Sequence, residues 1–252
     1  MDKKELFYVR PQDVTHEFLT LQKDEMHHLT NVHRKKKGDT FLAVDGMGTV
    51  YDCQIEQMRQ DELQARIFKK YKFMGEPFFK LTLALALPKK GRFEWVVEKG
   101  PEIGVSAFMP LLTQRTVVKE KSLKPQRCMR IALVAMKQCQ RSVLPTTAAP
   151  QKFESFCKSA MDFHIKLLAH EKHAGLNLNT VMNNLVKNHK LEYIKSGILC
   201  VGPEGGFTEE EVHLAQKYGF ATFGMGPRRL RSETAALVAS ALILDKMGEL
   251  QN

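Results

Sequence analysis

Two stretches near the C-terminal end hold residue types that point to chemistry. The first is Gly202-Pro203-Glu204-Gly205-Gly206-Phe207-Thr208, which follows an apolar run, Ile198–Val201. Closely spaced glycines let a ligand approach the backbone. Thr208 with Glu211 three residues on reads as a capping box, so a helix starts there. Strand, Gly-rich turn and helix make a frequent small-molecule site at the carboxyl edge of a parallel sheet. The competing reading is a tight turn that only caps a helix. The spacing matches neither a P-loop nor a dinucleotide fingerprint. The second stretch, Phe223 to Leu237, repeats the pattern: strand, Gly/Pro turn, helix, with Ser232 as cap and Glu233 in the first turn. Arg228, Arg229 and Arg231 stand just before that helix. A helix N-terminus is already positive, so cations there favour an anionic partner.

The elements that position these stretches follow from periodicity. Short apolar runs at Leu81–Leu87, Ala107–Leu112, His164–Ala169, Gly197–Val201 and Phe220–Phe223 read as strands. Gln126–Arg141, Glu209–Tyr218 and Glu233–Met247 read as helices, and Phe93, Trp95, Val96, Val97 and Ile103 share most of one helical face. Trp95 is expected in the core. This alternation predicts an α/β domain over residues 73–252, a mostly parallel sheet covered by helices. Residues 1–72 predict a small β-rich domain, with Lys72–Pro77 as a linker. Asp45-Gly46 between two apolar runs signals a hairpin, and Leu63–Phe68 alternates as a strand. Ala235–Leu244 is apolar on most sides and predicts burial on more than one face, in the core or against another subunit. At ten residues it is half of the ~20 that a spanning helix needs, so no membrane span is expected. The start, Met1 to Glu5, has no apolar core behind its charges and is not read as a secretory signal.

Charge narrows the partners. The chain has 252 residues, with 38 lysines and arginines against 28 acids, net +10. Lys121, Lys124, Arg127, Arg130, Lys137, Arg141 and Lys152 fall in a stretch without a single acid. That favours a polyanion such as nucleic acid over a merely solvated face. The run His33-Arg34-Lys35-Lys36-Lys37 before Gly38-Asp39 fits phosphate contacts and a solvated loop about equally. Metal and nucleophile motifs are not read. His170-Glu171-Lys172-His173 is one residue short of H-E-x-x-H, His27-His28 has no acid or cysteine at ligand spacing, and no G-x-S-x-G occurs. The five cysteines, 53, 128, 139, 157 and 200, read as reduced thiols of a cytoplasmic protein.

Four stretches together resemble one family: His27-His28-Leu29 with Gly38-Asp39 and Asp45-Gly46; Glu102-Ile103-Gly104-Val105; Gly202 to Thr208; and Met225 to Leu237. The chain resembles the RsmE-type 16S rRNA uracil-N3 methyltransferases of the SPOUT superfamily. The resemblance implies a PUA-like N-terminal β-barrel for RNA and a C-terminal α/β domain tied in a deep trefoil knot. It also implies S-adenosyl-L-methionine bound in the knot, a homodimer, and no metal. Departures exist: Lys137 and Gln140 in Lys137-Gln138-Cys139-Gln140-Arg141, Pro101 before Glu102, and His33, Lys36 and Lys37 where aliphatic residues are more usual.

Carried over residue by residue, the resemblance implies a cofactor site from three loops. The first is Leu168, Ala169, His170 and Glu171, and the second is Val201, Gly202, Pro203, Glu204, Gly205 and Gly206. Met225, Gly226, Leu230, Arg231 and Thr234 form the third. The candidate RNA contacts are the basic residues Arg10, Arg34, Lys35, Lys121, Lys124, Arg127 and Arg228. Uridine N3 carries a proton that must leave before or during attack on the methyl group, and nearby cations favour the resulting anion. Arg231 is the leading candidate for that role, with Arg228 or Arg141 next. Glu233 and Glu204 are candidate bases, each with a structural alternative in its turn or helix start. Two other readings stay open: a SPOUT enzyme acting on another RNA or on a ribose 2′-hydroxyl, and a non-catalytic RNA-binding assembly factor.

Overall fold

The computed structural model describes residues 5–89, 91–118, 123–170, 176–187 and 191–251. Lys121 and Glu171, named above, lie outside them, as do Lys172 and His173. By its contacts the chain forms two compact units, Met1–Glu76 with Leu133–Leu144, and Pro77–Ala132 with Pro145–Asn252.

The first unit is built on β1 (Leu6–Tyr8), β2 (Phe18–Gln22), β3 (Thr40–Val44), β4 (Thr49–Met58) and β5 (Glu62–Lys72), in sheet order β1-β3-β4-β5-β2. β1 pairs parallel with β3, and the other pairings are antiparallel. The expected hairpin joins β3 to β4. Asp45 is buried and its Oδ1 accepts the N–H groups of Met47 and Thr49 at 2.8 and 3.0 Å. Gly46 and Gly48 supply the positive φ the turn requires. Alternation along β4 turns Tyr51, Cys53 and Ile55 inward with Leu19, Leu21, Phe41 and Leu63. A short helix, α1 (Lys23–His27), runs into a π-helical turn at His28–Val32.

Grouped by contacts, two pieces that lie beyond the expected boundary at Lys72 fall in the first unit. Glu76 is one: its Oε1 accepts the N–H groups of Ser142 and Val143, both at 2.9 Å, and its Oε2 accepts Arg141 Nη2 at 2.8 Å. Residues Leu133–Leu144 are the other. Met136 is fully buried with Leu6, Val44 and Val50 in a small core cluster. Charge and periodicity do not reveal such a return, since it depends on contacts distant in sequence.

The second unit holds β6 (Lys80–Ala86), β7 (Val105–Leu112), β8 (Thr146–Thr147), β9 (Gln151–Lys152), β10 (Ile165–Ala169), β11 (Ser196–Val201) and β12 (Ala221–Phe223). They order as β12-β10-β11-β6-β7-β8, with β9 also on β7, and every pairing is parallel. Leu81 to Ala86 are all buried, as a central strand covered on both faces requires. The helices are α2 (Arg92–Lys99), α3 (Pro125–Gln138), α4 (Phe153–Ser159), α5 (Leu178–Val186), α6 (Glu209–Lys217) and α7 (Ser232–Lys246). Only the part of α3 up to Ala132 belongs to this unit.

Three local readings change. α3 stops at Gln138, short of Arg141, where Gln140 takes a left-handed φ of 60°. α2 stops at Lys99, and Pro101 opens a 3-10 turn to Ile103, as a proline without an N–H directs. Trp95 is 43% exposed on α2, not in the core. α7 buries Ala236, Ala239, Ser240, Ile243 and Leu244, yet leaves Val238 and Leu242 43% and 51% exposed. One of its apolar faces is therefore open in the single chain. Among the described residues no helix is long and apolar enough to cross a membrane.

Candidate active site

β10, β11 and β12 are neighbours, and all three end at the same edge of the sheet. The loops after them line one cleft of about 350 Å³, within the usual range for small-molecule sites. Ala169 and His170 come from the first loop, Val201 to Glu204 with Gly206 and Phe207 from the second. Met225, Gly226 and Arg228 to Ser232 come from the third, and Ala235 from α7. His170 N–H donates to Phe223 O at 2.9 Å, tying the first loop to the end of β12, and within the second loop Gly206 N–H donates to Pro203 O at 2.9 Å. This is the carboxyl edge of an open parallel sheet, where α/β ligand sites form.

The sequence-predicted residues separate as follows. Ala169, His170, Val201, Gly202, Pro203, Glu204, Gly206, Met225, Gly226, Leu230 and Arg231 line the cleft. Leu168 is fully buried inside β10 and Gly205 is exposed beside Arg115, whose Nη1 donates to Gly205 O at 2.7 Å. Thr234 is half-buried on α7 and is not part of the lining. Phe207, Arg229, Ser232 and Ala235 line the cleft as well, beyond the cofactor residues expected from sequence. Arg228, a candidate RNA contact, lines it too.

The capping box at the second loop is present. Glu211 Oε2 accepts Thr208 N–H at 3.0 Å, and Thr208 Oγ1 accepts Glu211 N–H at 3.3 Å. Glu211 Oε1 also accepts Gln114 N–H at 2.8 Å, so the same buried carboxylate ties α6 to the loop after β7. At the third loop the expected cap differs. Arg231 itself occupies the N-cap of α7, with extended backbone and no side-chain cap bond, while Ser232 is the first helical residue and is buried. Residue type favours serine at a cap, but Ser232 is already inside the helix and is part of the cleft lining.

Charge is distributed unevenly around the cleft. Arg229 Nη2 donates to Glu204 O at 3.2 Å. Arg228 and Arg231 have no protein partner among the described residues, so two permanent cations face the cleft unpaired. Arg92 stands at the start of α2. Its Nη1 lies 3.2 Å from Glu204 Oε1 and its Nε 3.4 Å from Glu233 Oε1. Glu233 is buried, and its Oε2 has no hydrogen-bond partner among the described residues. No motif announces Arg92; only the fold brings it from 112 residues away to Glu204.

Arg141, the other cation considered for the chemistry, lies in the first unit. It is bound to Glu76, with the two side chains 3% and 2% exposed. Of the basic stretch, Lys137 is held by Glu25 at 2.6 Å and Arg127 by Glu94 at 2.8 Å. The stretch is thus no continuous free surface; Lys124 and Arg130 remain exposed. Arg34 is exposed and Lys35 half-buried, whereas Arg10 pairs with Asp13 at 2.7 Å. All five cysteines are free. Burial pushes the Cys53 and Cys157 thiols up to about 12 and raises Cys200, so none of these three is an activated nucleophile.

The chain belongs to the RNA methyltransferase family: the model of the RNA methyltransferase domain matches residues 75–244, and that of the RNA methyltransferase PUA domain matches residues 21–68. More particularly, it is similar to the ribosomal RNA small subunit methyltransferase E of Synechocystis, 34% identical over 93% of this chain and 75% of that protein. The Bacillus subtilis protein of the same name is 30% identical over 87% of each chain. Among solved structures, a Legionella pneumophila protein in complex with the cofactor SAM superimposes with a TM-score of 0.80 at 27% identity, covering 96% of this chain and 98% of that one.

Proposed function

We propose that this chain methylates N3 of a uridine in small-subunit (16S) rRNA, taking the methyl group from S-adenosyl-L-methionine, and that it acts in the cytoplasm as a homodimer. The observation that carries the reading is the single cleft made by three loops at the ends of adjacent parallel strands, with Arg228 and Arg231 facing it unpaired. The residues present fit the cofactor. Apolar Val201, Phe207, Met225, Leu230 and Ala235 suit the faces of an adenine, and the polar groups of loop backbone suit its edge. A Cβ added to Gly226 would meet no protein atom within 4 Å, so the missing side chain leaves room inside the cleft. When bound, S-adenosyl-L-methionine supplies a methyl group already activated by its sulfonium charge, so this reading calls for no metal in the reaction.

What remains for the chain's own residues is to favour the uracil anion left when N3 gives up its proton. Arg231, at the N-cap of α7 and in the lining of the cleft, takes this role in our reading, and Arg228 adds a second positive charge. Glu204 is engaged by Arg92 and by Lys89 N–H, which suits a loop-fixing role. Glu233, held on one oxygen by Arg92, is the carboxylate left to take a proton. The family's trefoil knot belongs to the same reading, with Ala169–His170, Val201–Phe207 and Met225–Arg231 as its cofactor loops.

Calorimetric titration of the purified chain with S-adenosyl-L-methionine tests the cofactor. Saturable binding is expected, weakened in Gly206→Val and in Gly226→Ala. Wild-type affinity in either variant, once circular dichroism shows it folded, contradicts the placement. A non-catalytic RNA binder has no reason to bind this molecule at all.

RNA contact is tested through salt. Each phosphate contact contributes ~0.7–0.9 to the slope of log affinity against log salt. Reversing Lys121, Lys124 and Arg127 to Glu is expected to weaken rRNA binding and flatten that slope. An unchanged slope returns these residues to a solvated face.

The open face of α7, with Val238 and Leu242, supports the dimer. Light scattering at micromolar concentration is expected to give about twice 28.7 kDa. A stable, active monomer contradicts it.

A further inference from the structure

We propose that Glu5, His28 and His33 form a site for one divalent transition-metal ion of the zinc class in the N-terminal unit. Sequence spacing argues against such a site, because the acid lies 23 residues before the nearer histidine. The fold removes that objection. Glu5 immediately precedes β1, and both histidines stand on the turn that follows α1.

His28 Nε2 lies 3.1 Å from Glu5 Oε1 and His33 Nε2 lies 2.6 Å from Glu5 Oε2. The three donor atoms are within 4.8 Å of one another. The pair of histidines depends on the π-helical turn. On an α-helix, residues five apart point ~140° away from each other at 100° per residue. Here His33 N–H donates to His28 O at 3.3 Å, the five-residue bond of the wider turn, and the two rings come within 5.1 Å. Such π turns are rare and recur at functional sites. Phe7 stands edge-on to both rings, at 5.9 and 5.5 Å, and fixes their directions.

Two imidazoles and a carboxylate are a zinc-type donor set, and three protein ligands leave a fourth position for solvent. Zinc bonds of ~2.0–2.1 Å place tetrahedral donors ~3.3 Å apart. The three side chains are 31–42% exposed, so they can open by that small amount and an ion can enter. The bound ion would replace the two hydrogen bonds to Glu5 by coordinate bonds and staple the chain before β1 to the turn. The site is independent of the methyl-transfer reading.

The full-length chain, stripped with a chelator, is titrated with Zn²⁺ by calorimetry and with Co²⁺ by visible absorption. One equivalent is expected, with a rise in melting temperature on adding Zn²⁺. Loss of an outer partner of a metal-binding histidine already costs ~10–100-fold in affinity, so His33→Leu should cost at least that. Glu5→Gln keeps a hydrogen-bond acceptor but loses the charged ligand, and should also abolish the Zn²⁺-induced rise. A wild-type chain that takes up neither ion saturably, or variants that bind as tightly as wild type, would overturn the proposal and leave a hydrogen-bonded clamp only.

Discussion

Arg231→Ala is expected to bind S-adenosyl-L-methionine almost normally and to methylate rRNA ~10²–10³-fold more slowly in single-turnover assays, the usual cost of removing one preorganised electrostatic contact. The expectation rests on three facts of the site. Arg231 lines the cleft, occupies the N-cap of α7 without making a cap bond, and has no protein partner among the described residues. A cation at that end of a helix does nothing for the helix, so its charge is available to an anion. Arg231→Lys is expected to recover part of the rate, since the charge remains but the planar fork is lost. If the Ala variant loses cofactor affinity and keeps its rate at saturation, Arg231 is a cofactor ligand and the assignment fails.

Arg141→Ala is expected to act on stability rather than on the methyl-transfer step. Removing one member of a buried ion pair typically costs ~3–5 kcal/mol, because the other charge stays buried without its partner. Glu76 and Arg141 are 2% and 3% exposed, and Glu76 also accepts two backbone N–H groups. Replacing both by apolar residues should therefore recover only part of the loss: the charges go together, but the N–H groups of Ser142 and Val143 are left unsatisfied. Denaturant unfolding of the single and double variants measures this. Full stability in Arg141→Ala, with a collapse in rate, would return Arg141 to the catalytic group.

These two arginines show what the sequence makes legible. Arg231 stands next to a glycine turn and a capped apolar helix, so local signals alone place it at a sheet edge. Arg141 sits in an equally basic neighbourhood, and nothing local reveals that Glu76 neutralises it from 65 residues away. The same division runs through the fold. β6, β10 and β11 are short apolar runs between turns, and the capping box of α6 is written in four residues. Strand order, the return of residues Leu133–Leu144 to the first unit, the bridging of Glu204 and Glu233 by Arg92, and the meeting of Glu5 with His28 and His33 depend on long-range contacts. Local periodicity carries no information about them. Trp95 shows the converse limit, since its type predicts burial while α2 leaves it exposed.

The central claim is tested most directly by product mapping. Small ribosomal subunits from cells lacking this protein are incubated with the purified chain and methyl-labelled S-adenosyl-L-methionine, and the labelled rRNA is mapped to the nucleotide. The account predicts label at a single uridine of 16S rRNA, released on digestion as N3-methyluridine and absent without the cofactor. Label on a ribose 2′-hydroxyl, label in another RNA, or no transfer by a folded, cofactor-binding protein would contradict it.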